Sequence, residues 1–195
     1  MADIPDYSDQ TDEVLAERLQ RGEEQALSNL MQRYEPKLMR YGQRFLGGQG
    51  EDVLRQAVQD IFIAAYQNIE GFDTHQRFSP WIYRIAHNAF VDILRQRTRQ
   101  PLYGLDFDKI ISHPVHEDEY AKEKESEEIR VLVEKSLGVL PAAQREIIAL
   151  YYFEELSYRE IADVLHVPVS TVGVRLARAR ANLKKTLPDS SALPL

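Results

Sequence analysis

An all-α protein of two helical domains joined by a flexible linker is what three features of this 195-residue sequence predict. Apolar residues recur every three or four positions through long stretches, the spacing of one buried helix face. One segment, Gln100 to about Glu123, has no sustained period and divides the chain. Near the C-terminus, Ser157-x-x-Glu160 reads as a capping box, and Pro168 suits the first position of a further helix. Boundaries follow at 10–99 for the first helical unit, 100–124 for the linker and 125–187 for the second.

In the first unit, Thr11 can cap a short helix carrying Val14, Leu15 and Leu19, which Gly22 can end. From about Glu23, Ala26, Leu27, Leu30, Met31, Tyr34, Leu38, Tyr41 and Phe45 mark a longer helix. Pro36 should bend it or divide it in two. Gly47, Gly48 and Gly50 break the pattern. A third helix runs from about Glu51 to Asn68, with Leu54, Ala57, Val58, Ile61 and Ala65 as its buried stripe. Gln59, Asp60 and Ile63 point partly away from it and form either a solvated surface or an interaction face. Glu70 to Phe78 reads as a loop. Ser79 and Pro80 then open a fourth helix as N-cap and first position. Its core face is Ile82, Ile85, Ala86, Ala89 and Ile93. Trp81, Arg84, Asn88, Asp92 and Arg95 make a second stripe. Aromatic and basic residues interleaved in this way suit single-stranded DNA, rings for stacking and guanidinium groups for phosphates. A structural tryptophan beside a solvated arginine face would look the same.

The linker carries Pro101, Gly104, Pro114 and many acids, yet Leu102, Leu105, Phe107, Ile110 and Ile111 are apolar enough for part of it to dock. His113 and His116 lie near acids, but no rigid element fixes a ligand geometry there, and no metal site is expected. In the second unit, Ile129, Leu132, Val133 and Leu137 share a face, Gly138 ends that helix, and Pro141 opens the next after Leu140. Ile147, Ile148, Leu150, Tyr151 and Phe153 supply the next apolar side. Two helices then meet at the His166-Val167 break. The second places Val169, Val172, Leu176, Ala179 and Leu183 on one side, and Thr171, Val174, Arg175 and Arg178 on another. That is the pattern of a DNA-binding helix-turn-helix, which an ordinary helical hairpin with a basic face shares.

Composition limits the alternatives. With no cysteine, neither a disulfide framework nor a cysteine metal site can form. Met1 to Gln10 is polar and acidic, without a signal-peptide core, and no apolar run is long enough for a bilayer. A soluble cytoplasmic protein is the expectation. The net charge of −7 argues against nucleic acid only until its distribution is considered. Arg175, Arg178, Arg180, Lys184 and Lys185 stand without an acid between Val169 and Leu187. Arg77, Arg84, Arg95, Arg97 and Arg99 face Asp92 alone. Acid is concentrated elsewhere, notably from Asp106 to Glu128, so two basic patches are available to one polyanion.

Together the pieces resemble a bacterial RNA polymerase sigma factor of the extracytoplasmic-function group, from about Asp12 to Leu187. Ala57-Val58-Gln59-Asp60-Ile61-Phe62-Ile63-Ala64-Ala65-Tyr66 is similar to region 2.2 of that family. Phe78-Ser79-Pro80-Trp81-Ile82-Tyr83-Arg84-Ile85-Ala86-His87-Asn88 is similar to regions 2.3 and 2.4. Leu140-Pro141, Leu156-Ser157-Tyr158-Arg159-Glu160-Ile161-Ala162 and the last helix are similar to region 4. The resemblance implies binding to core RNA polymerase and promoter-specific initiation of a stress or envelope-response regulon. It implies that Gln59, Asp60 and Ile63 meet the polymerase clamp helices. Arg77, Phe78, Trp81, Arg84 and Asn88 would face the −10 element and its melted strand, with Arg95, Arg97 and Arg99 near the backbone. Ser170, Thr171, Arg175 and Arg178 would meet the −35 element in the major groove. The linker would thread toward the RNA exit path. An anti-sigma factor is an implied partner. No cofactor and no catalysis by this chain are implied, because the polymerase performs the chemistry.

Departures from the family pattern are Arg55-Gln56-Ala57 where an acid usually precedes the Val-Gln-acid motif, Gly173 where lysine or arginine is frequent, and Val174 where serine is frequent. With Gly173 and Val174 on or beside the DNA face, −35 readout should rely more on Arg175 and Arg178. The alternative function is a stand-alone helix-turn-helix regulator that binds operators without polymerase. It lacks a dimerisation element and leaves the Trp81 block unexplained. A helical-bundle enzyme or metal protein would need paired Glu-x-x-His ligands or a nucleophile-base pair, and neither is present as a recognisable motif.

Overall fold

The computed structural model describes residue 7, residues 9–98 and residues 136–186, with side chains at 97, 98 and 186 not described. The linker, the helix expected from Glu125 and its residues Ile129, Leu132 and Val133 lie outside the described residues. Among the described residues the structure is all helical. The first half comprises α1 (Asp12–Gln20), α2 (Glu24–Leu46), α3 (Glu51–Asn68), a 3-10 turn at Ile69–Gly71 and α4 (Phe78–Thr98). The second half comprises a 3-10 turn at Leu137–Val139, α5 (Ala142–Ile148), a π-helical segment at Ala149–Phe153, α6 (Tyr158–Leu165) and α7 (Val169–Thr186).

Thr11 caps α1 by accepting the Val14 N–H. Pro36 does not divide α2, which runs unbroken across it. Pro36 lies on the exposed side, where water can satisfy the carbonyl it leaves free, while Tyr34 and Leu38 on either side are buried. Gly47 ends the helix at φ 58°, backbone that favours glycine. The α3 stripe falls as its spacing predicts, with Leu54, Ala57, Val58, Ile61 and Ala65 all buried.

Helix α4 departs from expectation twice. It begins at Phe78, ahead of the predicted Ser79 cap, because the Glu13 carboxylate of α1 accepts the Phe78 N–H at 3.0 Å. A carboxylate there also meets the positive end of the helix dipole. Its buried face is Ile82, Tyr83, Ala86 and Phe90, whereas Ile85, Ala89 and Ile93 are only partly buried. Tyr83 and Phe90 turn inward to join Tyr34 and Tyr41, with the Tyr41 and Tyr83 rings edge-to-face at 5.3 Å.

In the second half, Ser157 and Glu160 form the reciprocal capping box of α6. His166 ends that helix in the left-handed region at φ 53°. The inward stripe of α7 is Val172, Leu176, Ala179 and Leu183, all fully buried, while Val169 stays partly exposed. Arg180 is fixed by the α5–π corner, its Nε donating to the Tyr152 hydroxyl at 2.7 Å.

The two halves share one continuous hydrophobic cluster. Helix α2 packs against α5 and the π segment, and α4 packs along α6.

Candidate nucleic-acid interface

The outer face of α3 carries Gln59, Asp60 and Ile63, all exposed. Ile63 is 55% exposed, and Val53 and Tyr66 on the same helix are also open. A helix so apolar on its outer side has a large surface to offer a partner. Gln56 donates to Asp60 at 3.0 Å and sets that carboxylate on the surface.

The block expected at the −10 element is built by α4 and the turn before it. Gln20 reaches across from α1, its Nε2 donating to the Ile69 and Phe72 carbonyls at 2.7 and 2.8 Å. Asp73 accepts the His75 N–H at 3.0 Å, closing the turn. Phe78 does not face outward. It is 2% exposed, its ring packed against Tyr34, Phe72 and Trp81. The first turn of α4 leans into the α1–α2 core and carries the ring with it, so Trp81 rather than Phe78 lies toward the surface of this block. Trp81 is half-buried on the Phe72 and Phe78 rings, at 5.1 and 5.4 Å between centroids. It is therefore partly structural, with its remaining surface outside. Arg84 is half-buried and Asn88 exposed, one turn apart on the same stripe. Arg95 is exposed and pairs with Asp92 at 3.2 Å. Arg97 lies in α4, but its side chain is not described.

Arg77 precedes α4 and is exposed, yet its Nη1 pairs with Glu160 Oε1 of α6 at 2.6 Å. Partial burial pushes the Glu160 carboxyl up. The Ser157 N–H and hydroxyl, with the Arg77 guanidinium, outweigh it and hold the group below its ordinary value.

On α7, Ser170 is exposed at the N-terminal end, and Thr171, Arg175 and Arg178 are half-buried. The Thr171 N–H is taken by the Pro168 carbonyl at 2.9 Å. Gly173 is buried, which removes it from the outer face where the sequence put it, while Val174 is half-buried.

Sequence reasoning missed a set of polar residues between the two halves. Glu146 of α5 is 4% exposed, and its Oε1 accepts the Tyr41 hydroxyl at 2.7 Å and lies 2.5 Å from His87 Nδ1. The Tyr83 hydroxyl donates to Glu154. Burial pushes the Glu154 carboxyl up, against the opposing Tyr83 hydrogen bond and the Arg44, Lys37 and Arg40 charges. The Arg44 guanidinium lies 3.8 Å from the centre of the Phe153 ring. The available signal was the unbroken apolar run from Ile147 to Phe153, flanked by Glu146 and Glu154, which fits no helix with a polar outer face.

Among the described residues no group of acidic or histidine side chains could hold a metal ion, and no helix is long and apolar enough to cross a membrane.

Family models place this arrangement. Residues 30–100 match Sigma-70 region 2, and residues 130–183 match Sigma-70, region 4. The ECF RNA polymerase sigma factor SigW of Bacillus subtilis is 32% identical over 185 residues, covering 88% of this chain and 94% of SigW. The ECF RNA polymerase sigma-E factor of Escherichia coli K12 is 35% identical over 178 residues, covering 87% and 91%. Among solved structures, CnrH in complex with the cytosolic domain of CnrY is similar at TM-score 0.64 and 28% identity, covering 89% of this chain and 95% of that one. Sigma factor RpoE in complex with the anti-sigma factor NepR from Bartonella quintana is similar at TM-score 0.58 and 25% identity, covering 81% and 94%. A stand-alone helix-turn-helix regulator would account for the second half alone. With both halves matched in order over most of its length, the chain belongs to the extracytoplasmic-function RNA polymerase sigma factors.

Proposed function

We propose that residues 10–99 bind core RNA polymerase and engage the −10 element, while residues 125–187 engage the −35 element. The observation that carries this reading is the separation of faces. The Gln59, Asp60 and Ile63 surface of α3 is turned to solvent, apart from the stripe of α4 that bears Trp81, Arg84 and Asn88. Polymerase and DNA can then be held at once without competing for side chains. Arg77, Trp81, Arg84 and Asn88 are assigned to the melted −10 strand, with Arg95 and Arg97 toward the backbone. A captured base that stacks on an exposed ring edge recovers about 1–3 kcal/mol of the unstacking cost. Phe78 supports Trp81 from beneath. Ser170, Thr171, Arg175 and Arg178 are assigned to the major groove, where arginine pairs bidentately with guanine.

The chain performs no catalysis in this scheme and acts in the cytoplasm, where core polymerase and promoter DNA are found. The similar sigma factor RpoE is solved in complex with the anti-sigma factor NepR, and an anti-sigma factor is proposed as a partner here too. Run-off transcription with core polymerase tests the whole. Promoter-specific transcripts should require this protein, and their absence together with failure to bind core enzyme would refute the assignment.

A further inference from the structure

Helix α1 holds both ends of the turn that carries the −10 block. Gln20 and Glu13 stand two turns apart on one side of α1, separated by about 10 Å along its axis at 1.5 Å per residue. An amide has two N–H donors, and Gln20 directs both to main-chain carbonyls. It meets Ile69 at 2.7 Å, where the 3-10 turn begins, and Phe72 at 2.8 Å, just after it ends. The Ile69 carbonyl also accepts the Phe72 N–H at 3.0 Å, so the amide fastens a bend that is already closed. Glu13 accepts the Phe78 N–H at 3.0 Å, one of the open donors at the start of α4.

Helix α1 is itself anchored. Its Asp12 carboxylate accepts the Tyr34 hydroxyl at 2.6 Å and pairs with Arg33 at 2.7 Å, both on α2. Arg33 also donates to the Gln10 carbonyl at 2.7 Å. A line of support therefore runs from α2 through α1 to the turn. Between the two ties the chain folds back on itself, with the Asp73 carbonyl accepting the Gln76 N–H at 2.9 Å. The six peptide steps from Phe72 to Phe78 could extend about 20 Å if they were free.

Trp81 depends on this arrangement. Its ring lies on those of Phe72 and Phe78, the two residues whose main chain α1 holds. A shift at either end of the turn moves the floor beneath the tryptophan. The apolar face of α1 is Leu15, Ala16 and Leu19, so Gln20 and Glu13 are not what seats the helix in the core.

We propose that Gln20 and Glu13 are positioning residues for promoter opening. They hold Phe72 and Phe78, and through them Trp81, in the arrangement that receives the melted −10 strand, while touching no base themselves. Such support requires specific chemistry. Position 20 needs two donors, since a carboxylate there would face two carbonyl oxygens, and position 13 needs an acceptor. The inference rests on the assignment of Trp81 and its neighbours to the melted strand made above.

Gln20→Met keeps the side-chain length and loses both donors, and Glu13→Ala loses the acceptor. Each is assayed as holoenzyme on a promoter that the wild-type holoenzyme transcribes, and on the same promoter with its −10 segment mismatched open. Transcription from the intact duplex should fall at least tenfold, and permanganate reactivity of the −10 thymines should fall with it. On the opened template the deficit should shrink to within threefold, because the bases are already unpaired. Affinity for core polymerase should stay within twofold of wild type. Glu13→Gln, which retains an acceptor, should recover most of what Glu13→Ala loses, whereas Gln20→Glu should be impaired at least as much as Gln20→Met. Trp81 is the only tryptophan in the chain, so its emission in the free protein should shift to the red in both variants. Full activity of both on the intact duplex overturns the proposal. So does an equal loss on the two templates, or unshifted emission in both. Failure of the wild-type chain to bind core polymerase would instead strike the sigma assignment, which the emission measurement does not need.

Discussion

Gly42 of α2 and Phe90 of α4 meet so closely that a Cβ on the glycine would stand 2.8 Å from Phe90 Cζ, and 2.9 Å from Leu54 Cδ2. This contact lets α2, α3 and α4 close around one point. Gly42→Ala gains up to about 1 kcal/mol of helix propensity but overpacks a site whose aromatic neighbour is itself enclosed, at a cost of about 1–3 kcal/mol. The expected outcome is net destabilisation, read as a lower urea midpoint with an unchanged slope. A variant as stable as wild type would show that Phe90 can yield.

Two carboxylates give stability opposite dependences on pH. Glu160 is held below its ordinary value, so its contribution is present above the unfolded-state pKa and is lost as pH falls through the lower folded value. Glu154 is raised by burial despite Tyr83, Arg44, Lys37 and Arg40. Its folded form favours the proton, and stability falls as pH rises from the ordinary carboxylate range through the raised value. Glu160→Gln should therefore lessen the loss of stability in acid. Glu154→Gln should lessen the decline on the approach to neutral pH. Denaturant titrations from pH 3 to pH 8 on both variants check the signs, and parallel curves for the two would contradict this account.

The α3 surface should be separable from folding. Ile63→Ala combined with Asp60→Ala removes exposed side chains that no buried residue needs. Thermal stability should change by less than about 0.5 kcal/mol. Affinity for core polymerase, measured by fluorescence anisotropy, should fall at least tenfold. Unchanged affinity would move the polymerase contact elsewhere.

Helix α7 should lose −35 recognition when Arg175 and Arg178 are both replaced by alanine. Each bidentate pair with a base is worth about 1–3 kcal/mol. Footprinting of the complex with core polymerase should show loss of −35 protection with −10 opening retained on a promoter strong enough to bind. Gly173 is buried and contributes no outward side chain, which places more of the readout on these two arginines.

Helical periodicity in the sequence determined much of this molecule. The stripe from Leu54 to Ala65 reads directly as a buried face, and Ser157 with Glu160 reads directly as a helix start, because both depend on neighbours within a few positions. The family blocks likewise follow the order of residues along the chain. Packing decided the rest. Phe78 looks like an outward aromatic until Tyr34 and Phe72 close over it. Tyr83 and Phe90 fall outside the aliphatic face predicted for α4 and enter the core because α2 lies against them. Glu146 and Glu154 look like ordinary surface acids, since nothing within a few positions reveals that Tyr41, His87 and Tyr83 come from 59 to 105 residues away to receive them. Local spacing specifies which side of a helix is apolar. Only the tertiary structure decides what covers that side, and here it joins the two halves through a buried polar seam.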